Sequence, residues 1–269
     1  MAQPQISLSN VASSGKIKIS WEKIDGAVKY EVWRATSKTG TYSKLTTTTN
    51  TSVTNTSAIA GKTYYYKVKA ISSNSSANSE YSAVKSRVCD LAKVSIKLSN
   101  RASDGAITIK WDAVAGATKY QVYRATSKSG QYTKLATTSS ISYNDVSGTA
   151  GKTYYYKVRA ICNNTEATGV YSSVQSCVRC LANPDVKITR QSGKPYLQWD
   201  KVSNAAGYRV YRATSKNGTY SLMKNMTSRS FKDTSAKNGK TYYYKVVAVC
   251  KTTSGNSAYS SVVSIKATK

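Results

Sequence analysis

The amino-acid sequence predicts an all-β protein made of three β-sandwiches in tandem. The first reason is a repeat, since the octapeptide Gly-Lys-Thr-Tyr-Tyr-Tyr-Lys-Val begins at Gly61, Gly151 and Gly239. The second is an alternation of polar and apolar side chains with a period of two, which is typical of strands with one buried face. The third is composition, because 22 tyrosines, one phenylalanine and many Thr, Ser and Val residues suit half-buried strands.

The repeat divides the chain into copies at residues 1–88, 89–179 and 180–269. In every copy a tryptophan precedes an Arg-Ala-Thr-Ser-Lys motif, at Trp21, Trp111 and Trp199. In the first copy we expect strands at 16–21, 30–34, 42–45, 64–71 and 81–88, with a turn at 36–40. Six or seven short strands in about 90 residues are typical of a β-sandwich and not of a helical repeat.

These motifs together resemble the fibronectin type III domain. The tryptophan on the second strand, the Tyr-x-Val-x-Arg strand and the repeated octapeptide carry the resemblance, which covers all three copies. It implies seven-stranded, immunoglobulin-like β-sandwiches in an elongated array, with the three tryptophans in their cores. It also implies that Tyr64, Tyr154 and Tyr242 are tyrosine-corner residues, whose hydroxyls bond back to the backbone. The variant is similar to that of secreted or wall-associated proteins of Gram-positive bacteria.

Catalytic chemistry is not expected. The chain has no histidine, and therefore lacks the usual general base, zinc ligand and triad member. Glu22, Asp112 and Asp200 follow the core tryptophans, but no second acid accompanies them, so we interpret them as solvated carboxylates. Phosphate-binding glycine loops are missing too. We predict no catalytic residue, no metal site and no cofactor.

The charge is strongly basic, with 40 Lys and Arg against 12 Asp and Glu and a net charge of +28. It is distributed as +8, +7 and +13 over the three copies, so it is a property of each and attracts polyanions. Nothing indicates sequence-specific nucleic-acid binding or a bilayer-spanning segment. We expect a monomeric piece of a longer extracellular or wall-associated protein, whose signal and anchor lie outside this piece.

Five cysteines are the other reactive side chains. In the fold that the resemblance implies, the sixth strand ends at the pole where the domain's own N-terminus enters. Cys162 and Cys250 end that strand in the second and third copies, and Cys89 and Cys180 stand in the preceding connectors. The resemblance therefore implies interdomain disulfides Cys89–Cys162 and Cys180–Cys250, with Cys177 free or competing for a partner. The alternative is that all are small buried thiols.

Alternation also predicts a candidate ligand face. Strands 30–34 and 64–71 are neighbours in the fold that the resemblance implies, so their outward aromatic and basic side chains should lie together. These residues are Trp33, Tyr65 and Lys67 in the first copy, Tyr123, Tyr155 and Lys157 in the second, and Tyr211, Tyr243 and Lys245 in the third. Such a face could stack on sugar rings or bases and attract anions. Alternatively, the aromatic pairs only stabilise the sheet.

Three classes of function follow. The first is a non-catalytic spacer or adhesion surface of a bacterial surface or secreted protein, with a protein, a glycan or an anionic polymer at a cell surface as partner. The second is a polyanion- or glycan-binding array driven by the charge, for which steep loss of binding with salt would indicate simple electrostatics. The third is the accessory region of a secreted glycan-active enzyme whose catalytic domain lies elsewhere.

Overall fold

The computed structural model describes residues 1–167 and 169–269 and contains three β-sandwiches in tandem. The first contains β1 (Ile6–Asn10), β2 (Ile17–Trp21), β3 (Lys29–Ala35), β4 (Ser43–Thr48), β5 (Ser52–Asn55), β6 (Thr63–Ile71) and β7 (Lys85–Val88). The second contains β8 (Ile96–Asn100), β9 (Ile107–Trp111), β10 (Lys119–Ala125), β11 (Thr133–Thr138), β12 (Ser142–Asp145), β13 (Thr153–Ile161) and β14 (Gln175–Val178). The third contains β15 (Val186–Gln191), β16 (Lys194–Trp199), β17 (Gly207–Ala213), β18 (Ser221–Met226), β19 (Ser230–Lys232), β20 (Thr241–Val249) and β21 (Val263–Lys266).

Each sandwich has the same two antiparallel sheets. In the first, a three-stranded sheet has the order β1-β2-β5 and a four-stranded sheet has the order β4-β3-β6-β7. The second and third repeat this as β8-β9-β12 with β11-β10-β13-β14, and as β15-β16-β19 with β18-β17-β20-β21. Two short 3-10 turns, Ser75–Ala77 and Thr253–Gly255, are the helical elements of the described residues. The predicted all-β class and the three tandem sandwiches are therefore confirmed.

Alternation explains the core. Along β6 the buried residues are Tyr64, Tyr66, Val68 and Ala70, and the residues between them are half-buried. Trp21 on β2 is 5% exposed and packs against the ring of Tyr30, with the ring centroids 5.3 Å apart. Burying one face of each sheet against the other supplies the main driving force for folding.

A hydrogen bond to a tyrosine hydroxyl connects the start of the long strand of each sandwich to the preceding loop. The Tyr64 hydroxyl accepts a hydrogen bond from the backbone N–H of Ile59 at 3.1 Å. The hydroxyls of Tyr154 and Tyr242 accept from the N–H groups five residues upstream, at 2.9 and 3.2 Å. Each bond satisfies a loop donor at the edge of the core, where an unpaired N–H would destabilise the fold.

Two features differ from the expected strands. The strands β1 and β5 were not placed by the sequence pattern, and the last strand of the first copy begins at Lys85, although the pattern predicts 81–88. Just before it, serine hydroxyls replace the backbone acceptors, because those of Ser79 and Ser82 accept hydrogen bonds from the N–H groups of Ala70 and Val68. The N–H groups of the two serines still donate to the backbone of β6. Serine hydroxyls compete in this way with regular backbone pairing.

Candidate functional site

A lysine between two tyrosine rings is the recurrent feature of the outer face of the four-stranded sheet. In the first sandwich, Lys67 Nζ lies 4.6 Å from the centroid of the Tyr42 ring and 4.1 Å from that of Tyr81. Lys67 on β6 pairs with Trp33 on β3, so both side chains point outward from neighbouring strands. These distances are those of cation–π interactions.

The same arrangement is present in the other two sandwiches. The Nζ-to-centroid distances are 4.3 and 4.2 Å for Lys157 with Tyr132 and Tyr171, and 4.1 and 5.2 Å for Lys245 with Tyr220 and Tyr259. We call these three groups, each one lysine with its two tyrosines, the lysine–tyrosine clusters.

The ring that packs against Trp33 is that of Tyr81, with the centroids 6.1 Å apart and an interplanar angle of 89°. The equivalent pairs, Tyr123–Tyr171 and Tyr211–Tyr259, have centroid distances of 5.3 and 5.2 Å. Tyr65 lies on the same outer face, opposite Ala35. Burial, followed by the neighbouring Tyr65, raises the pKa of Tyr42.

Six tyrosines of these clusters are absent from the predicted face. A signal for them exists, because one tyrosine of each cluster follows the turn glycine by two residues and the other is the first residue of a Tyr-Ser pair. Those members are Tyr42, Tyr132 and Tyr220 after the glycines, and Tyr81, Tyr171 and Tyr259 before the serines.

The clusters limit what the face can bind. Each ammonium group lies over the rings that a sugar or a base would need for stacking, and the interaction contributes about 0.5–1 kcal/mol at exposed sites. The aromatic rings of this face are half-buried apart from Tyr259, which is 46% exposed. The most accessible aromatic ring of the face is therefore in the third sandwich.

A buried carboxylate links the two sheets of the second sandwich. Asp145 is 1% exposed, and its Oδ2 accepts hydrogen bonds from the Tyr156 hydroxyl and from Arg124 Nη1, both at 2.7 Å. Its Oδ1 accepts from the hydroxyl of Ser147 at 2.7 Å and from the backbone N–H of Ser147 at 3.0 Å. Asp233 makes the same contacts in the third sandwich.

Hydrogen bonding keeps the Asp145 carboxyl group ionised. Burial by itself would raise the pKa of Asp145, but hydrogen bonds from Ser147, Tyr156 and Arg124 outweigh it and lower the pKa below its ordinary value. The first sandwich has Asn55 at this place, and Asn55 Nδ2 donates to the Tyr66 hydroxyl at 2.7 Å. The central acceptor of the network is thus a carboxylate in two copies and a neutral amide in one, and we interpret the network as structural.

The connector between the first two sandwiches is held on both sides. Leu91, which is 1% exposed, belongs to the core of the second sandwich, while the backbone N–H of Lys93 donates to Ala12 O of the first at 3.0 Å. Across the same joint, Asn164 Nδ2 donates to Gly61 O at 2.8 Å. The two sandwiches therefore share a packed, hydrogen-bonded boundary.

The second connector is held in the same way. Leu181 is 4% exposed in the core of the third sandwich and its N–H donates to Gly255 O at 2.9 Å. The N–H of Asn183 donates to Ala102 O of the second sandwich at 2.8 Å. Glycine is required at the contact itself, since a Cβ on Gly255 would lie 2.6 Å from the backbone of Gly151.

The two interdomain disulfides predicted from the resemblance, Cys89–Cys162 and Cys180–Cys250, are absent. All five cysteines lie in the described part of the chain and carry free thiols. Cys89 is packed in the core of the first sandwich, with Sγ 3.4 Å from Gly15 O, whereas Cys162 packs against the core of the second. Cys180 and Cys250 both border the second joint as thiols, and burial followed by the neighbouring Cys250 raises the pKa of Cys180.

The register of the connectors explains why Cys89 does not pair with Cys162. The N–H of Gly61 donates to Cys89 O, and the N–H of Gly151 donates to Arg179 O. Cys89 therefore corresponds to Arg179, and Cys180 comes one residue later. Because side chains alternate between faces in extended backbone, a shift of one residue moves a side chain from the core to the surface.

Among residues 1–167 and 169–269, no group of three His, Cys, Asp or Glu side chains is arranged to hold a metal ion. Within the same residues, no helix is long and apolar enough to span a bilayer.

Comparison with known proteins connects these sandwiches to a family. Residues 11–80 match the family model described as a PBP1-like, fibronectin3-like domain. The chain is 26% identical over 272 residues to exoglucanase B of Cellulomonas fimi, a match that covers 89% of this chain and 23% of that protein. It is 39% identical over 66 residues to an amylopullulanase of Thermoanaerobacter thermohydrosulfuricus, covering 24% of this chain and 4% of that protein. The chain thus spans less than a quarter of the length of these relatives.

Among solved structures, the chain matches a two-domain fibronectin type III segment of chicken tenascin, at 16% identity and a TM-score of 0.39. That match covers 66% of this chain and 99% of the tenascin segment. The matched family model lies within the first sandwich, and the other two sandwiches repeat its sequence motifs and its strand order. The first sandwich therefore matches a fibronectin type III-like family, and the chain consists of three tandem sandwiches that share its motifs and strand order.

Proposed function

We propose that the chain is a non-catalytic spacer and accessory module of a larger, secreted, glycan-active protein. The observation that carries the proposal is the anchoring of both connectors, since Leu91 and Leu181 lie in the core of the domain that follows. The backbone N–H groups of Lys93 and Asn183 bind the domain that precedes. Connectors of this kind restrict the angle between domains, whereas flexible linkers leave it free.

The relatives support the glycan-active context. Their names, exoglucanase B and amylopullulanase, are those of enzymes, and this chain matches only a part of each. In this proposal the catalytic groups belong to other domains of the protein, outside the cell, and the chain sets their distance from a surface or a substrate. The absence of histidine from the sequence is in keeping with this role.

A weaker adhesive role is supported by one residue of the aromatic face. Tyr259 is 46% exposed, and Lys245 Nζ lies 5.2 Å from its ring centroid. An exposed ring beside a cation suits contact with a glycan or a protein at a cell surface. The predicted ligand face of the first two domains is half-buried and is proposed to act mainly in packing.

Heteronuclear NMR relaxation of the full chain tests the spacer proposal. We expect the three domains to have one common rotational diffusion tensor. Gly151→Ala should release the third domain, because its methyl group would collide with Thr252 Oγ1 and lie 3.3 Å from Cys250 Sγ. Gly239→Ala is the matched control, since its φ of +79° is close to the +83° of Gly151 and nothing lies within 4 Å of its Cβ position.

Both variants carry the same left-handed backbone strain, about 1–2 kcal/mol, so only the contact differs. Independent tumbling of the wild-type domains would refute the proposal. Identical tumbling of the two variants would show that Gly151 does not hold the joint.

A further inference from the structure

The outer face of the three-stranded sheet of the second domain carries two lysines in direct opposition. Lys97 on β8 pairs with Lys110 on β9, and Lys110 pairs in turn with Ser142 on β12. Both lysines are exposed, and neither forms an ion pair within the described residues. Like charges directly opposite in an antiparallel pair destabilise a sheet, so this pair has a cost that the fold does not explain.

The two lysines border a groove of about 460 Å³. The rest of its lining consists of Ser95, Trp111, Asp112, Ile141 and Ser142. Ile141 is 51% exposed although it is a large apolar residue. The groove therefore combines two ammonium groups, one carboxylate, the hydroxyls of Ser95 and Ser142, and one exposed apolar side chain.

The other two domains provide natural variants of this groove. In the first domain the three paired positions are Ser7, Ser20 and Ser52, which are all uncharged. In the third domain they are Lys187, Gln198 and Ser230, and a groove of about 570 Å³ lies at the same place. The sandwich therefore folds with or without charge at these positions, and the lysine pair is particular to the second domain.

We propose that this groove binds a carboxylate-bearing sugar residue of an acidic polysaccharide. A carboxylate placed between Lys97 and Lys110 would receive two charge-assisted hydrogen bonds and would remove the repulsion between them. Sugar hydroxyls would donate to Asp112, and Ser142 would exchange hydrogen bonds with them. The C–H face of the sugar ring would pack on Ile141.

The composition of the groove favours an acidic sugar over a phosphate polymer. Asp112 repels carboxylates and phosphates alike, but a sugar acid carries ring hydroxyls that can donate to it, whereas a phosphodiester group offers no donor. The general charge of +28 would attract any polyanion from a distance, but that attraction is largely screened beyond about 8 Å at physiological salt.

The test is a titration of the full chain with tetragalacturonate at about 150 mM salt, followed by calorimetry and by NMR shift changes. We expect the shifts to change around residues 95–97, 110–112 and 141–142. The double variant Lys97→Ser/Lys110→Ser should bind at least about tenfold more weakly, since two charge-assisted hydrogen bonds are lost. The first domain carries serine at both positions, so this variant should fold.

The matched control is Lys119→Ser/Lys128→Ser. It removes the same charge from two exposed lysines of the second domain that lie away from the three-stranded sheet, and we expect its affinity to stay within about twofold of the wild type. A further variant, Lys110→Gln, copies the third domain and should show an intermediate loss.

Three outcomes would overturn the proposal. The first is equal weakening in the groove and control variants, which would indicate diffuse charge. The second is equal affinity for maltotetraose, which has no carboxylate. The third is the absence of wild-type binding. None of these three binding results depends on how rigid the joints between the domains are. The groove proposal and the spacer function can therefore be refuted independently.

Discussion

The buried carboxylate Asp145 gives the sharpest prediction, because the first domain shows what replaces it. Asn55 occupies the equivalent place, where its Oδ1 accepts from Arg34 Nη1 at 3.3 Å and from the Ser57 hydroxyl at 2.9 Å. Its Nδ2 donates to the Tyr66 hydroxyl at 2.7 Å. The substitution Asp145→Asn therefore keeps a partner for every buried polar group, with the tyrosine hydrogen bond reversed.

The expected costs of two substitutions differ accordingly. Asp145→Asn removes the negative charge of the acceptor from these hydrogen bonds and should lower the free energy of unfolding of the second domain by about 1 kcal/mol. Asp145→Ala leaves Tyr156 and Ser147 without their acceptor and leaves Arg124 with only the Ser147 hydroxyl, and breaking a buried pair in this way costs about 3–5 kcal/mol. The Arg124 side chain is 22% exposed, so water can reach it and the lower end of that range applies.

Acid should reduce the difference between the wild type and Asp145→Asn. The pKa of Asp145 is lowered in the folded protein, so its charge stabilises the fold at pH values above the unfolded pKa of about 4. That contribution is lost as the pH falls through the folded pKa. The stability of Asp145→Asn should lack this dependence, while the wild type should lose stability in acid.

Hydrogen exchange measured by mass spectrometry is the assay, because it separates the domains. Peptides from β13 report on the second domain, and peptides from β6 give an internal reference that Asp145 variants should leave unchanged. Equal destabilisation by the asparagine and alanine variants would refute the reasoning. So would an unchanged second domain in Asp145→Ala.

Three further predictions concern the tyrosine hydroxyl bond at the start of the long strand, the aromatic residues of the outer face, and the connectors. Tyr154→Phe removes the acceptor of a loop N–H and should lower the free energy of unfolding, measured in urea, by about 1–2 kcal/mol. Tyr155→Phe on the outer face should change it by less than about 0.5 kcal/mol. Equal effects would show that the Tyr154 hydroxyl bond does not stabilise the domain. Tyr259→Ala should weaken binding on a glycan array without lowering the melting temperature, while the half-buried Tyr171→Ala should lower the melting temperature; the reverse pattern would show that Tyr259 is a packing residue. Leu181→Ala should destabilise the third domain by about 2–5 kcal/mol in hydrogen exchange, and an unchanged third domain would show that the connector is not part of its core.

Alternation in the sequence was sufficient to predict which side chains of the long strands face inward. Tyr66 and Val68 are buried and Lys67 between them faces outward, because period two is a direct consequence of strand geometry. The aromatic partner of Trp33 could not be predicted in the same way. Tyr81 lies before the regular part of the last strand, where serine side chains bind the neighbouring backbone, so no register could be extended to it.

The buried acid and the connector cysteine show two other limits. Asp145 is one of 12 acidic residues, and acids are rarely fully buried, so nothing in the pattern separates it from solvated ones until Arg124 and Tyr156 are seen around it. Cys89 and Cys180 both stand in connectors, but their positions differ by one residue in the backbone register. In extended backbone that difference reverses the direction of the side chain.

Seating Leu91 and Leu181 in the core of the next domain has a mechanical consequence. Tension along the chain passes from the last strand of one sandwich into a buried leucine of the next, so the connector between them can extend very little. Under a pulling force we expect the chain to lengthen appreciably only when a whole sandwich unfolds. About 90 residues at roughly 3.4 Å each would then be released, which is on the order of 300 Å. Below that load the array behaves as an inextensible tether.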